Sequence, residues 1–546
     1  MINSHAAYRA LTSRDPRFDG IFFVGVASTG VYCRPICPVK TPLQKNCRFF
    51  ESAFAAEKAS FRPCLRCRPE LAPGHAPIDN SNRVAHLITR RIDEGLIDEG
   101  AGLEEIATEF GISSRQLRRI VQKELGVSPI ELMQTRRLLL AKQLLTETKL
   151  PVTEIAFASG FSSLRRFNDA FGRQYRMPPT HLRNRAAEHH EMIDAGRTST
   201  LRLSYRPPYD WQEILKFLDA RMIRDVEFVT ADSYARTVRL GKRTGWIRVT
   251  HAPEKGGLVV EFTRTLVPVL PALLGRLRNL FDLTARPDLI AAHLMKDKLL
   301  KKSVTKNPGL RVPGAFDGFE MAIRAILGQQ ITVKAATTIA GRFAEAFGEK
   351  IRTPFPELTR LSPLAARIAK ASVRDIAKLG IVGTRAASIL AFARAFQAGS
   401  LKLDTGTNPE ADIAALTALP GIGQWTAHYI AMRVSRWPDA FPKEDVAVRN
   451  SLGRVSTKQA EEISQAWRPW RSYAVMHLWK NPPNPSRGNQ SASSRAPQVQ
   501  RAPQPVQMPA ALLRGCGQRR LATPGPAQSE TTRRVQSSYT ERRSQG

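Results

Sequence analysis

The amino-acid sequence predicts a multidomain, mainly α chain: a small cysteine-rich module, a double helix-turn-helix, an α+β domain with an antiparallel sheet, an all-α domain and a disordered tail. Three observations carry this. At 546 residues the chain exceeds what one core organises, since domains usually run to roughly 100–200 residues. Four of the six cysteines, Cys33, Cys37, Cys64 and Cys67, form two close pairs within 35 residues, with Cys47 and Cys516 outside that pattern. A glycine-centred turn between two amphipathic stretches occurs twice, in 103–132 and again in 152–182.

The first module contains "TGVYCRPICPVK" (29–40) and "FRPCLRCRPE" (61–70), which space the thiols as Cys33-x3-Cys37, 26 residues, then Cys64-x2-Cys67. Two close pairs of soft thiolates suit tetrahedral Zn²⁺, and a reducing compartment favours metal over disulfide. Four thiolates on Zn²⁺ leave the centre formally dianionic, so its sulfurs keep nucleophilic character. Alkylating one to a thioether makes the centre monoanionic and weakens its repulsion of DNA phosphates, while Arg34, Lys40, Lys45, Arg48, Arg62, Arg66 and Arg68 supply attraction. A purely structural zinc knuckle is the plainer reading of the same spacing. The two motifs resemble the N-terminal zinc domain of the Ada family of adaptive-response regulators. That resemblance implies that Cys33 irreversibly accepts a methyl group from a DNA methyl phosphotriester, with Cys37, Cys64 and Cys67 as its fellow metal ligands; Arg34, beside Cys33, is expected at the DNA on its charge.

The second module reads "LEEIATEFGISSRQLRRIVQKELGVSPIEL" and then "VTEIAFASGFSSLRRFNDAFGRQYRMPPTHL", with a linking helix expected over about 130–148. The repeat resembles the AraC-type DNA-binding domain. The resemblance implies that the second helix of each copy enters a major groove, presenting Arg115, Gln116, Arg118 and Arg119 in the first and Arg165, Arg166 and Asn168 in the second. Some such residues touch only phosphates. It also implies promoter DNA and RNA polymerase as partners. A helical bundle without DNA contacts is the bland alternative, disfavoured by the repeat and the charge.

From 201 to about 282, short runs such as "GWIRVT" and "GLVVEF" alternate with turn residues, as in an antiparallel sheet. Helical periodicity then dominates to 480. Within it, "LTALPGIGQWTAHYIAMR" (416–433) holds a glycine-rich hairpin opening a helix, where Gly421 and Gly423 leave backbone N–H groups free for a phosphate. Asp445, in "FPKEDVAVRN", follows Gly423 by 22 residues and taken alone reads as a helix N-cap. A hairpin followed at this distance by aspartate resembles the helix-hairpin-helix glycosylase superfamily. With "PPYDWQEILKFLDARMIRDVE", "RLRNLFDL", "FEMAIRAILGQQITV" and "WRPWRSYAVMHLW", the stretch of about 201–480 resembles AlkA-type 3-methyladenine DNA glycosylase II.

This second resemblance implies that Asp445 is catalytic and that Trp425, Tyr429 and Trp479 stack on an extruded, positively charged alkylated base. Relatives that also nick DNA carry a Schiff-base lysine where Trp425 stands, so the enzyme is expected to be monofunctional. An N3- or N7-alkylated purine is already a good leaving group; the carboxylate is needed to stabilise oxocarbenium charge at C1′ or to activate water. The place of the family's apolar wedge, which fills the gap left by the base, falls on Gln330. The expected protein joins a methyl phosphotriester acceptor and transcriptional regulator, with Zn as cofactor, to a glycosylase acting on double-stranded DNA. The competing reading is a methylation-sensing transcription factor whose glycosylase-like half only binds DNA. An O6-methylguanine transferase is set aside, because no Pro-Cys-His-Arg motif occurs.

Composition agrees. Lys and Arg number 82 against 48 Asp and Glu, for a net charge of +34, which points to a polyanionic partner. The last 66 residues hold ten Arg and two Glu, so most of that charge lies elsewhere, and their Pro, Ser and Gln content predicts disorder. No run of about 18 apolar residues and no leader-like N-terminus is seen, so a bacterial cytoplasmic protein without a membrane partner is expected. The expected divisions are 1–78 (zinc-binding methyl acceptor), 83–185 (helix-turn-helix), 186–199 (linker), 200–282 (β-rich domain), 283–480 (glycosylase) and 481–546 (tail).

Overall fold

The computed structural model describes residues 3–73, 102–109, 112–187, 197–401 and 409–480, with Ala85, Ile88, Thr89, Arg91, Ile92 and Leu403. These all fall in one compact unit, Met1–Asn484. The tail 481–546 and most of the linker 186–199 lie outside the described residues. The architecture is multidomain and mainly α, with a small sheet in the zinc domain and a larger antiparallel sheet ahead of the glycosylase helices.

In the zinc domain four short strands run in the order Cys47–Phe50, Phe23–Val26, Val31–Cys33, Arg62–Pro63. The last pair is parallel, with Val31 opposite Arg62 and Tyr32 opposite Pro63. That register brings the chain leaving Cys33 and the chain entering Cys64 to the same end of the sheet.

The repeated module is built from matching caps. Ser113 Oγ accepts from the Gln116 N–H at 3.1 Å and starts the helix Ser114–Leu125; Ser163 Oγ accepts from the Arg166 N–H at 3.2 Å and starts Leu164–Tyr175. Gly126 ends the first with φ of 73°; Arg176 ends the second at 55°, a conformation that costs an L-residue about 1–2 kcal/mol. Between them, Ser128 and Glu131 form a capping box with Pro129 at the first helical position, which fixes the linking helix at Pro129–Glu147.

The linking helix joins three domains. On one side Lys142 is buried and donates to Glu70 at 2.5 Å and to the Cys64 carbonyl at 2.9 Å. On the other, Gln143 Nε2 donates to the Arg202 carbonyl at 2.8 Å and Glu147 accepts the Arg202 N–H at 3.0 Å, satisfying the edge strand Thr198–Ser204. Leu138, Phe167 and Phe171 share one continuous core with Leu201, Val260 and Phe281.

The larger sheet is antiparallel throughout, in the order Thr198–Ser204, Gly257–Thr263, Arg243–Ala252, Ser233–Leu240, Glu227–Val229. Asp210 caps the helix Trp211–Asp219 that lies against it. The helices of 283–480 form two lobes around separate cores. One is centred on Gly318–Leu327 and Gly383–Gln397, the other on Pro287–Leu294, Lys298–Lys306 and Arg471–Lys480. The helix Gln424–Arg433 belongs to both, burying Ala427 and Ile430 in the first core and Ala431 and Met432 in the second. Its remaining face carries Trp425 and Tyr429 one turn apart, both half-buried.

Candidate functional site

The four cysteine sulfurs are buried and lie within 4.8 Å of one another. Donor type, number and closeness fit tetrahedral Zn²⁺, with Zn–S bonds of about 2.3 Å. Their surroundings differ. Cys67 Sγ accepts the Arg34 N–H at 3.3 Å, Cys64 Sγ accepts the Arg66 N–H at 3.3 Å, and Cys37 Sγ accepts the Val39 N–H. Among the described residues no N–H donates to Cys33 Sγ. Hydrogen bonds to a thiolate stabilise it and blunt its attack, and the three sulfurs that receive them here are Cys37, Cys64 and Cys67.

Arg34 is a correction. It was expected at the DNA, yet it is 7% exposed, paired with both oxygens of Asp19 and donating to the Cys67 carbonyl at 3.0 Å. Its charge is consumed inside the domain. Arg68 is likewise drawn inward, to Glu70 at 3.0 Å and Glu147 at 2.9 Å. Lys40, Lys45, Arg48 and Arg66 remain exposed.

On the helix-turn-helix repeat, Arg115, Gln116, Arg118 and Arg119 are exposed, as are Arg165, Arg166 and Asn168, while Leu117, Val121, Phe167 and Phe171 turn inward. Two basic faces therefore stand clear of the core at corresponding places. Arg118 lies 3.6 Å from Glu104, a solvent-exposed pair that DNA phosphate can displace.

The candidate site in 283–480 is organised around Asp445. It is the N-cap of the short helix Val446–Ser451, accepting the Val448 N–H through Oδ1 at 2.9 Å. The cap does not exhaust the carboxylate. Trp425 Nε1 donates to Oδ2 at 2.9 Å and Trp479 Nε1 to Oδ1 at 3.1 Å. Trp425 and Tyr429 stack at 5.4 Å with 7° between ring planes, and Trp479 lies 6.2 Å from Tyr429. Three aromatic rings and one acceptor-only carboxylate thus meet at one place, from three helices far apart in sequence.

Tyr429 is also held from behind. Arg433, one turn on, donates to its hydroxyl at 2.7 Å. Burial alone would raise that hydroxyl, but the guanidiniums of Arg433, Arg221 and Arg324 outweigh it and hold it below the usual tyrosine range. Burial pushes Arg433 itself down to about 10.

The hairpin lies at the rim. Gly421 takes φ of +75°, and a Cβ there would lie 2.0 Å from Ser388 Oγ. Gly423 is exposed with open space about its Cα, and the helix it starts has no side-chain cap. Its first N–H groups therefore face outward. Gln330 is exposed on the turn between Gly318–Leu327 and Val333–Phe347, at φ of 55°.

Two contributors were missed by reading the sequence. Phe217, from the β-rich domain, faces the same guanidinium as Tyr429: Arg433 Cζ lies 4.7 Å from the Phe217 ring centroid and 5.5 Å from that of Tyr429. Gln329 Nε2 donates to the Gly421 carbonyl at 3.0 Å and to Thr426 Oγ1 at 2.9 Å, tying the Gln330 turn to the hairpin. Gln329 stands beside the wedge position in "ILGQQ", which was the only local signal; Phe217 had none beyond the resemblance of its segment.

Comparison with known proteins follows this division. Family models match at 6–70 (metal binding domain of Ada), 106–185 (helix-turn-helix domain), 200–317 (AlkA N-terminal domain) and 323–471 (HhH-GPD superfamily base excision DNA repair protein). The chain is 39% identical over 479 residues to the "Probable bifunctional transcriptional activator/DNA repair enzyme AlkA" of Mycobacterium tuberculosis, covering 86% of this chain and 95% of that one. It is 33% identical over 277 residues to DNA-3-methyladenine glycosylase 2 of Escherichia coli, which takes in 51% of this chain and 95% of that one. To the bifunctional transcriptional activator/DNA repair enzyme Ada of the same organism it is 29% identical over 168 residues, 30% of this chain and 46% of the other.

Proposed function

The chain belongs to the AlkA family of bifunctional transcriptional activator/DNA repair enzymes, and on that premise we propose that Asp445 drives hydrolytic excision of alkylated bases while Cys33 takes the methyl group that reports the damage. The protein is an Ada-like transcriptional activator and an AlkA-like DNA repair glycosylase in one polypeptide, with DNA as its partner and a Zn²⁺ site at Cys33, Cys37, Cys64 and Cys67.

The observation that carries the glycosylase proposal is the clamp on Asp445. Three N–H donors fix its carboxylate beside stacked rings, so negative charge is aimed without further reorganisation where C1′ of an extruded nucleotide would sit. Trp425, Tyr429 and Trp479 offer π faces to a cationic base. The C1′–N bond breaks with its electron pair leaving on the base, which needs no proton because it is already positive. Water adds at C1′, and its proton passes to Asp445 or to solvent. Gly421 and Gly423 present N–H groups to a backbone phosphate, and Gln330 occupies the vacated stack. With no lysine at Trp425, strand cleavage is not expected.

In the sensor half, Cys33, Cys37, Cys64 and Cys67 would hold Zn²⁺, which would keep the four sulfurs as thiolates. Cys33 Sγ attacks the methyl carbon of a phosphotriester: the S–C bond forms, the C–O bond breaks, and its electron pair stays on oxygen, restoring the phosphodiester anion. The proposed destination of the methylated protein is promoter DNA, read by the faces of Arg115, Gln116, Arg118 and Arg119 and of Arg165, Arg166 and Asn168, with RNA polymerase as the partner met there.

The test is release of 3-methyladenine from alkylated duplex DNA by the wild type and Asp445→Asn, scored for strand breaks before and after alkali. Release by the wild type alone, with breaks only after alkali, is expected. Absence of release from folded wild-type protein overturns the proposal and leaves a half that only binds DNA.

A further inference from the structure

The zinc domain and the glycosylase half meet at an arginine that neither chemistry uses. Arg206 is fully buried and donates to backbone carbonyls on both sides: Nε to Asp19 at 2.9 Å, Nη2 to Pro73 at 3.2 Å, and Nη1 to Thr284 at 2.8 Å with a longer contact to Ala285 at 3.5 Å. Asp19 and Pro73 belong to the zinc domain, Thr284 and Ala285 to the glycosylase half. Asp19 also holds Arg34 through both carboxylate oxygens, and Arg34 reaches the cysteine centre twice, by Nη1 to the Cys67 carbonyl and by its N–H to Cys67 Sγ. Three residues thus separate a metal-ligand turn from the interior of the other half. Beyond them, Thr284 Oγ1 accepts from Arg436 at 3.1 Å, Arg436 pairs with Asp282, and Tyr473, on the helix carrying Trp479, donates to Asp282 at 2.8 Å.

The seat is closely fitted. Gly20 follows Asp19 with φ of +75°, and a Cβ there would lie 2.0 Å from the Pro73 oxygen and 3.2 Å from Arg206 Nη2.

We propose that this Arg206 seat couples metal loading of the cysteine centre to the stability of the glycosylase half. With Cys67 as a ligand, its turn is fixed, and Arg34 and Asp19 are fixed on it. Without the metal the turn loosens, and a buried guanidinium loses the fixed carbonyl acceptors matched to it. Such coupling is reciprocal, so damage to the seat weakens the hold on the metal by the same factor. The coupling depends on neither base excision nor methyl transfer.

All seven tryptophans lie at Trp211 or later, so their fluorescence reports the glycosylase half alone. The experiment is thermal unfolding of the full chain followed by tryptophan emission, zinc-loaded and chelator-stripped, for the wild type, Arg206→Gln and Gly20→Ala. Stripping is expected to lower the wild-type midpoint by about 3 °C, equivalent to roughly tenfold in zinc affinity. Both variants should start lower, shift less on stripping, and yield zinc to a competing chelator about tenfold more readily. A wild-type midpoint indifferent to zinc, with thiol titration showing that the metal has left, overturns the proposal. So does an Arg206→Gln protein that keeps the full shift. Should Arg206→Gln fail to fold, Asp19→Asn weakens the Arg34 pair while leaving the Asp19 carbonyl to Arg206, and the same two outcomes decide.

Discussion

Replacing Asp445 by asparagine separates its two roles. Asn keeps an Oδ1 acceptor for the Val448 N–H and Trp479 Nε1, so the cap of Val446–Ser451 survives. Its amide nitrogen then faces Trp425 Nε1 across 2.9 Å, donor against donor. One unpaired, partly buried N–H costs about 1–3 kcal/mol, so a stability loss of about 2 kcal/mol and a midpoint lowered by about 4–8 °C are expected. Trp425→Phe removes the opposing donor and keeps a ring. The double variant should therefore be about as stable as Trp425→Phe alone, the non-additivity expected of residues in contact. Activity should not follow stability. Losing the charge aimed at C1′ costs on the order of 10²–10³-fold, and no change at Trp425 restores it. Single-turnover release of 3-methyladenine, measured beside unfolding curves on the same samples, reads both quantities. Folded Asp445→Asn releasing base within tenfold of the wild type, or recovery in the double variant, refutes the assignment.

Cys33→Ser should retain part of its zinc and lose methyl uptake from phosphotriester DNA, assayed by radiolabelled methyl transfer; persistent labelling would place the acceptor on another sulfur. Gly421→Ala should lower the midpoint and weaken DNA binding about tenfold in a filter or anisotropy assay, because its Cβ meets Ser388 Oγ at 2.0 Å at a positive φ; unchanged binding would remove the hairpin from the interface. Burial, with Lys480 nearby, pushes His477 down to about 4, and burial, with Arg471 nearby, does the same to His428. Both titrate near 6.5 when unfolded. Their stability contribution is therefore intact above pH 6.5 and is lost as pH falls to about 4, by up to about 3 kcal/mol each; His477→Gln should flatten that decline in tryptophan-monitored unfolding, and an unaltered slope would refute the assignment. Arg115→Ala should reduce promoter binding and, if Arg115 meets a phosphate, lower the slope of log affinity against log salt by about 1; an unchanged affinity would take it off the DNA.

Most of the local chemistry was legible because it is written in contiguous residues. Paired cysteines announce a metal, the repeated glycine-centred turn announces a double helix-turn-helix, and Leu419–Gly423 announces a hairpin, since each depends on backbone geometry within a few positions. Arg34 shows the limit of such reading. Its charge beside Cys33 suggested DNA, but only the fold brings Asp19 and the Cys67 carbonyl to it. Asp445 shows another: from the sequence it was a cap or a catalyst, and the structure has it capping Val448 with one oxygen while two tryptophans hold the pair.

The sequence by itself determined the order of modules, the thiol set, the two helices with exposed basic faces and the segments that carry Asp445 and the rings around it. Tertiary structure alone decided which side chains share a site and which charges reach solvent. Phe217 meets Arg433 and Arg206 meets Asp19 across separations of about two hundred residues, and no local pattern records such pairs. They are set by how buried surfaces fit and by the need of each buried donor for an acceptor.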